Sequence, residues 1–262
     1  MRRVVRVVTM LAVAYLAAML GVFALQRRLL YMPPSPEVPA IPGATLVRTE
    51  TRTHLPVVAI YLPAAAGMKT VVHFHGNADQ VANEHEIARS LHVLGLGFYG
   101  IEYPGFGVAT GASPTEENIY AVADAALVHL REVMRVPKEQ IVLQGHSLGS
   151  GVAAEMAVRG HGSWLVLVSP YTSMIDMARR VSPIFPVMLL LRDRYDTLGK
   201  ASRLRLPVLI LHGRQDEVIP VEMSERLAAA IAGCKLVIDE ASSHNDIFGA
   251  KGYASLVADF SR

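Results

Sequence analysis

The sequence predicts an α/β protein in which a mostly parallel sheet of about eight strands carries helices on both faces and a short cap insert. Two observations predict this fold class. From Thr45 onward, short runs rich in β-branched residues alternate with segments of helical periodicity, which is the pattern of strands joined by crossover helices. The run that begins at Ile141 also leads directly into a Gly-x-Ser-x-Gly motif at Gly145 to Gly149, typical of a sharp strand-to-helix turn.

The strands and helices can be placed along the chain in order. We predict strands at Leu46 to Thr51, Val57 to Tyr61, Thr70 to Phe74, Gly97 to Glu102, Ile141 to Gln144, Trp164 to Val168, Val208 to Leu211 and Leu236 to Ile238. We predict helices at Ala78 to Leu94, Thr115 to Met134, Leu148 to Arg159, Met174 to Val181, Val221 to Ala232 and Gly249 to Phe260. The start near Thr115 is well marked, because Ser113, Pro114 and Glu116 supply a cap, a proline and an acid where free backbone N–H groups favour them.

An apolar run near the N-terminus, Val7 to Leu25, contains no charged residue. About 19 residues at 1.5 Å each nearly match a hydrocarbon core of about 30 Å, so we expect a membrane-spanning helix. Basic residues flank the run on both sides: Arg2, Arg3, Arg6, Arg27 and Arg28. Their excess at the N-terminal side favours a cytoplasmic N-terminus and an exported domain. Two alternatives are a secreted protein after signal cleavage at Val22 to Ala24, and a domain that faces the cytoplasm.

The chain then divides into an anchor or signal at residues 1–28, a Pro-rich linker at residues 29–44 and a catalytic domain at residues 45–262, with a short cap at residues 170–207. The linker is marked by composition, because five of the 15 prolines fall between Tyr31 and Pro42. Proline at this density favours extended geometry. We therefore expect a semi-rigid spacer that lies over the surface and keeps the domain close to the bilayer.

Composition excludes several classes of function. With 52% hydrophobic residues and a net charge of +2, the chain is not disordered. The 25 Lys and Arg residues, less the five around the apolar run, leave 20 against 23 Asp and Glu, so we expect no nucleic-acid partner. Cys234 is the single cysteine, which excludes an internal disulfide and a thiolate metal cluster.

The predicted turn at Gly145 to Gly149 suggests nucleophilic chemistry. In such a turn the serine, here Ser147, adopts a strained conformation, and side chains in place of either glycine would collide with neighbouring backbone. A serine hydroxyl is a weak nucleophile and needs an oriented base. In a parallel sheet, an acid and a histidine that follow later strands converge on the same edge as this serine.

Asp216 and His244 meet this requirement, since each stands in the loop just beyond a late strand. We expect His244 to act as the base for Ser147 and Asp216 to orient it. Other acids could take the place of Asp216: Glu217, Asp193 and Asp196. For His146, inside the predicted turn, and His212, at a strand end, we expect packing or hydrogen-bonding roles.

Acyl-transfer chemistry also needs donors for a developing oxyanion. We expect one to be the backbone N–H of Leu148, the residue after the nucleophile. We expect the other to be the N–H of Asn77 in His75-Gly76-Asn77-Ala78, where Gly76 permits close approach.

These motifs together resemble the α/β-hydrolase family of serine hydrolases. They follow that family's order: His75 to Ala78, Tyr103 to Gly107, Gly145 to Gly149, Pro170 to Ser173, His212 to Asp216 and His244 to Asp246. The resemblance covers about Thr45 to Arg262. Within the family, the chain is similar to the membrane-anchored subgroup of depalmitoylases, lysophospholipases and monoacylglycerol lipases. It implies an ester or thioester substrate and no cofactor.

The cap insert contains an apolar stretch from Ser182 to Leu191. Such a run above an active-site edge could line an acyl-binding groove or touch the bilayer, and Phe185, Leu189 and Leu190 are then the candidate substrate-binding residues. The alternative is a buried helix that covers the sheet.

We therefore expect a membrane-tethered serine hydrolase that cleaves an acyl ester or thioester without metal or cofactor, with lipids among the candidate substrates. A peptidase or a haloperoxidase-like enzyme could use the same three residues. A catalytically silent scaffold or binding module is a further alternative.

Overall fold

A computed structural model describes residues 1–250 and 252–262. The strands are β1 (Thr45–Glu50), β2 (Pro56–Leu62), β3 (Thr70–Phe74), β4 (Gly97–Glu102), β5 (Ile141–His146), β6 (Trp164–Val168), β7 (Val208–Gly213) and β8 (Lys235–Asp239). They form one eight-stranded sheet in the order β1-β2-β4-β3-β5-β6-β7-β8. β2 pairs antiparallel with β1 and β4, and every later pair is parallel. This arrangement confirms the predicted fold class.

Helices cover both faces of the sheet. They are α1 (Arg2–Leu30), α2 (His85–His92), α3 (Glu116–Glu132), α4 (Leu148–Val158), α5 (Met174–Val181), α6 (Val187–Leu190), α7 (Thr197–Lys200), α8 (Val221–Ala230) and α9 (Tyr253–Phe260). One buried apolar cluster joins α3, α4 and α8 to one face, and a second joins α2 and α9 to the other. The central strand β5 has no exposed residue, because both of its faces are covered.

Two predicted helices are shorter than expected. The helix predicted over Ala78 to Leu94 is a 3₁₀ turn at Val81–Asn83 followed by α2, because Ala78 adopts a left-handed conformation (φ 57°) that no helix tolerates. The helix predicted over Gly249 to Phe260 begins only at Tyr253, after Gly252 (φ 94°). Lys251, inside that prediction, lies outside the described residues.

The N-terminal helix α1 extends beyond the predicted apolar run at both ends. Its most apolar 18-residue window has a mean hydropathy of 2.3, and none of that window is buried. By length and composition it could cross a membrane.

The Pro-rich segment after α1 is more tightly held than a spacer. Tyr31 is buried in the core, and its hydroxyl lies 2.9 Å from that of Tyr195. Gln80 donates to the carbonyl of Ser35 and accepts from the N–H of Glu37, both at 3.0 Å. Apart from Tyr31 and Ile41, the residues from Tyr31 to Ala44 are exposed or half-buried, so the segment lies over the surface. Long-range side-chain pairs also fix it to the domain.

The cap insert is not a buried helix. It consists of the short helices α5, α6 and α7 joined by irregular turns, and α5 has no fully buried residue. In α6 only Val187 is buried, while Leu189 is 82% exposed. The alternative of a buried covering helix is thus excluded for this segment.

Candidate active site

Strand β5 ends directly in a sharp turn at Ser147, and α4 begins at the next residue. Ser147 has φ 50° and ψ −117°, a left-handed conformation that L-residues rarely adopt. The two flanking glycines make the turn possible, because a Cβ on Gly145 would meet the backbone of Gly149, and a Cβ on Gly149 would meet the backbone of Phe74. The turn therefore presents the serine at the N-terminus of α4, where the helix dipole favours negative charge.

Asp216 and His244 form a hydrogen-bonded pair beside this turn. His244 Nδ1 lies 2.7 Å from Asp216 Oδ2, and the Asp216 side chain is completely buried. Asp216 Oδ1 accepts the backbone N–H groups of Val218 at 2.9 Å and Ile219 at 2.7 Å. With Nδ1 of His244 used in this way, its Nε2 is the nitrogen available to a reacting group.

The environment of Asp216 keeps it ionised. Burial by itself would raise the pKa of its carboxyl group, but hydrogen bonds from His212, His244 and the Ile219 N–H outweigh burial and lower that pKa well below the ordinary range. An anionic carboxylate next to Nδ1 can orient the imidazole of His244 and stabilise its protonated form.

The competing acids have other partners or positions. Glu217 is exposed at the surface. Asp193 accepts from Arg27 Nε at 2.9 Å, and Asp196 caps α7 by accepting the Gly199 N–H at 2.9 Å. The structure thus pairs Asp216, and none of these three, with His244.

Ser147 and His244 line the same cavity, which also contains His146 and Leu148. Within the described part of the chain, Ser147 Oγ makes no hydrogen bond to His244. Such contacts are often long in unliganded enzymes and shorten when substrate binds.

The expected oxyanion donors also border this cavity. Asn77 and Leu148 both line it. The Asn77 side chain points to the linker, where its Nδ2 donates to the Leu30 carbonyl at 2.6 Å and its Oδ1 accepts the Met32 N–H at 3.0 Å. The side-chain amide is therefore held against the linker, and the donor expected from this residue is its backbone N–H.

A buried ion pair between His75 and Glu102 supports the loop that carries Asn77. His75 Nε2 and Glu102 Oε1 lie 3.0 Å apart with no exposure to solvent, although they are not aligned for a regular hydrogen bond. Burial lowers the pKa of His75, but Glu102 outweighs it and raises that pKa. Tyr103 stacks on the His75 ring at 4.0 Å and donates its hydroxyl proton to the His75 carbonyl at 2.8 Å. Glu102 was not singled out from the sequence, because only the pairing of β3 with β4 brings it to this loop.

The cavity itself has a volume of about 890 Å³ and is mostly apolar. The cap insert and α1 contribute much of its apolar lining. Phe185 and Leu190 line it as expected, whereas Leu189 points away and lines no part of it. A larger depression of about 1020 Å³ lies along α3 and is lined mainly by charged residues, and it contains none of Ser147, Asp216 and His244.

Comparison with known proteins places this geometry in a family. Residues 66–196, half of the chain, match the family described as serine aminopeptidase, S33. The chain belongs to the α/β-hydrolase family. The hydrolase is 33% identical over 251 residues to the uncharacterized protein Rv2307c of Mycobacterium tuberculosis, covering 93% of this chain and 89% of that protein. It is 30% identical over 190 residues to the human α/β hydrolase domain-containing protein 17B, covering 68% of this chain and 61% of that protein.

Solved structures show the same fold. The esterase Pf2001 of Pyrococcus furiosus superposes on the hydrolase with a TM-score of 0.70 at 16% identity, covering 87% of this chain and 98% of that chain. At this identity the likeness concerns the fold alone. The predicted membership in the α/β-hydrolase family is thus confirmed.

The sequence analysis did not foresee the position of one further residue near the hydrolase site, His212. His212 was expected to pack or to form hydrogen bonds, but its contact with Asp216 was not foreseen. Its Nε2 lies 3.1 Å from Asp216 Oδ2, and its Nδ1 lies 2.6 Å from Ser224 Oγ. No local signal in the sequence indicates the contact, because a spacing of four residues brings side chains together in a helix, whereas His212 lies in β7 and Asp216 lies in the loop that follows.

Proposed function

We propose that this hydrolase cleaves a carboxylic ester or thioester through an acyl-enzyme on Ser147. His244 Nε2 removes the Ser147 proton as Oγ attacks the acyl carbonyl carbon, and Asp216 stabilises the imidazolium that forms. The backbone N–H groups of Leu148 and Asn77 bind the oxyanion. His244 then donates its proton to the leaving alcohol or thiol. Water deacylates Ser147 by the same steps in reverse, and the products are a carboxylic acid and the free hydroxyl or thiol.

The observation that carries the proposal is the 2.7 Å contact between His244 and a buried, anionic Asp216 at the edge of a cavity that also holds Ser147. The apolar walls of the cavity favour the acyl part of a substrate, because apolar surface gains free energy when it leaves water. No residue of this mechanism requires a metal or cofactor.

We also propose that α1 is retained as a membrane anchor, with the N-terminus in the cytoplasm and the catalytic domain exported. Continuity of α1 past Ala24 supports retention, because cleavage there would remove Val22 from the cavity wall. N-terminal sequencing of the membrane-bound protein checks this, and a protein that begins after Ala24 contradicts it.

A panel of soluble substrates tests the activity. We expect turnover of p-nitrophenyl esters and acyl thioesters and loss of at least about 10³-fold in Ser147→Ala. The matched control is Ser202→Ala, which removes an exposed serine and leaves turnover unchanged. The family description raises the alternative of an aminopeptidase. Turnover of aminoacyl anilides without turnover of esters would replace the ester proposal with that alternative.

A further inference from the structure

The cap insert is attached to the middle of α1, well inside its apolar run. The Tyr15 hydroxyl donates to the Ile184 carbonyl at 2.8 Å, and the Tyr15 and Phe185 rings stack with their centroids 5.9 Å apart. A second contact lies nearer the C-terminal end of α1, where Gln26 Nε2 donates to the Leu190 carbonyl at 3.1 Å. The insert therefore runs alongside α1 from Gln26 back to Tyr15.

The distance between these two contacts along α1 indicates how deep the insert reaches into a membrane. Tyr15 and Gln26 are separated by about 16 Å along the helix axis at 1.5 Å per residue. That length is comparable to one leaflet of a hydrocarbon core about 30 Å thick. If α1 crosses a bilayer, the segment beside it reaches into the leaflet next to the catalytic domain.

The side chains of this segment suit lipid better than water. Ile184 is 72% exposed and Leu189 is 82% exposed, and Val181 and Met188 are also exposed. Four large apolar side chains in one short segment are more than the scattered exposed residues normal for a soluble surface.

Part of the backbone of this segment also meets the requirement that lipid imposes, namely that polar groups be satisfied within the protein, because four of its carbonyls accept hydrogen bonds from side chains. Tyr15 and Gln26 satisfy the carbonyls of Ile184 and Leu190. The Arg194 side chain donates to two more carbonyls, those of Met188 at 3.1 Å and Leu191 at 3.4 Å. Pro183 and Pro186 have no N–H to satisfy.

Basic residues mark the border of the apolar surface. Arg179 and Arg180 end α5 and are exposed, which suits anionic lipid head groups. The Arg192 guanidinium lies 4.3 Å from the Phe23 ring centroid, near the C-terminal end of the apolar run of α1.

We propose that residues 181–191 insert into the same leaflet as the C-terminal half of α1, and that the acyl chain of a membrane-resident substrate enters the cavity between these two elements. Val22 and Leu29 of α1 line the cavity together with Phe185 and Leu190 of the insert. An acyl chain on this route never leaves apolar surroundings before it reaches Ser147. The entry route rests on the proposed hydrolase function and on retention of α1, whereas insertion of the segment is independent of catalysis.

Insertion is tested with the full-length chain in phosphatidylcholine and phosphatidylglycerol vesicles. A single cysteine carrying an environment-sensitive fluorophore is placed at Ile184→Cys or Leu189→Cys, in a Cys234→Ser background. Val93→Cys is the matched control, because Val93 is 77% exposed and precedes β4, at the sheet edge opposite to Ser147. We expect nitroxide lipids to quench the first two probes at least about twofold and aqueous iodide to spare them. We expect the Val93 probe to be quenched by iodide and spared by the nitroxide lipids. Equal iodide quenching at all three positions overturns the proposal.

The entry route is tested by Ile184→Glu, whose side chain lies outside the cavity lining. We expect about a tenfold loss or more in hydrolysis of a long-chain ester embedded in vesicles, because a charge opposes insertion. Hydrolysis of a short soluble ester stays unchanged, and Val93→Glu changes neither rate. Unchanged hydrolysis of the embedded ester by Ile184→Glu overturns the entry route. Failure of the unmodified chain to hydrolyse either ester contradicts the proposed function and the entry route, and leaves the quenching result to decide insertion.

Discussion

His212 Nε2 lies 3.1 Å from Asp216 Oδ2, the same oxygen that contacts His244. The His212 side chain is completely buried, and its Nε2 also lies 2.9 Å from the Ile219 carbonyl. Because its Nδ1 contacts Ser224 Oγ at 2.6 Å, the ring is held at both nitrogens. This fixed ring supports the carboxylate that is proposed to orient His244.

Replacement of His212 therefore changes the surroundings of the Asp216 carboxylate, although His212 itself does not bind the substrate. We expect His212→Phe to lower the rate constant for ester turnover by about 10- to 100-fold, since Asp216 loses a partner and its orientation. His212→Gln, which keeps an N–H donor, recovers part of that loss. The comparison is made at a temperature where both variants give native circular dichroism. Equal rates in the phenylalanine variant and the unmodified chain contradict this role.

Replacement of Asp216 itself has a larger effect. We expect Asp216→Asn to reduce turnover of an ester by about 10³- to 10⁴-fold while the chain stays folded, because the amide cannot stabilise the imidazolium of His244. Glu217→Gln is the control and retains full turnover, since Glu217 is exposed. Steady-state kinetics of Asp216→Asn and Glu217→Gln measure both turnover rates. Near-normal turnover in Asp216→Asn would assign the orienting acid to another residue.

Glu102→Gln tests the support of the Asn77 loop. This change leaves His75 buried without its anion, and breaking a buried ion pair costs about 3 kcal/mol or more. We expect a lower free energy of unfolding together with slower turnover, since His75 belongs to the loop that carries Asn77. Glu117→Gln on the surface serves as control. An unchanged denaturation midpoint in Glu102→Gln would show that the pair does not support this loop.

His146 predicts a pH dependence of stability. Burial and then the neighbouring His244 lower the pKa of His146 from 6.5 to about 3. Between these values the unfolded chain binds a proton at this residue that the folded chain does not bind, so stability falls as pH decreases. The slope is at most about 1.4 kcal/mol per pH unit.

We expect His146→Gln to flatten the pH dependence of stability by that amount between about pH 4 and pH 6, measured by chemical denaturation in detergent. His54→Gln, at an exposed position, should leave the curve as it is. Parallel curves for His146→Gln and the unmodified chain contradict the depressed pKa.

The sequence predicted the parts of this protein that depend on short-range chemistry. Strand β5, the turn at Ser147 and α4 follow from two glycines and local periodicity, and all eight strands were placed within two residues at each end. Asp216 and His244 could be predicted because strand ends on one edge of a parallel sheet converge.

The differences from the expected structure have two sources, local backbone conformation and contacts between distant segments. Ala78 and Gly252 adopt positive φ angles, and two predicted helices begin only after them. The burial of Tyr31 against Tyr195 and the contact of the Asn77 side chain with Leu30 were not foreseen from the sequence. Leu189 was expected in the cavity, but a short helix directs successive residues to different sides, and Leu190 takes that place. Such pairings depend on the tertiary fold and leave no local pattern.

The central claim is that Ser147 is an activated nucleophile, and covalent labelling tests it most directly. The full-length chain, Ser147→Ala and Ser202→Ala are treated with a fluorophosphonate probe, and the adduct is located by peptide mass. We expect one adduct per chain on Ser147, retained in Ser202→Ala and absent from Ser147→Ala. A folded chain that stays unlabelled, or is labelled equally in Ser147→Ala, would contradict the proposed mechanism.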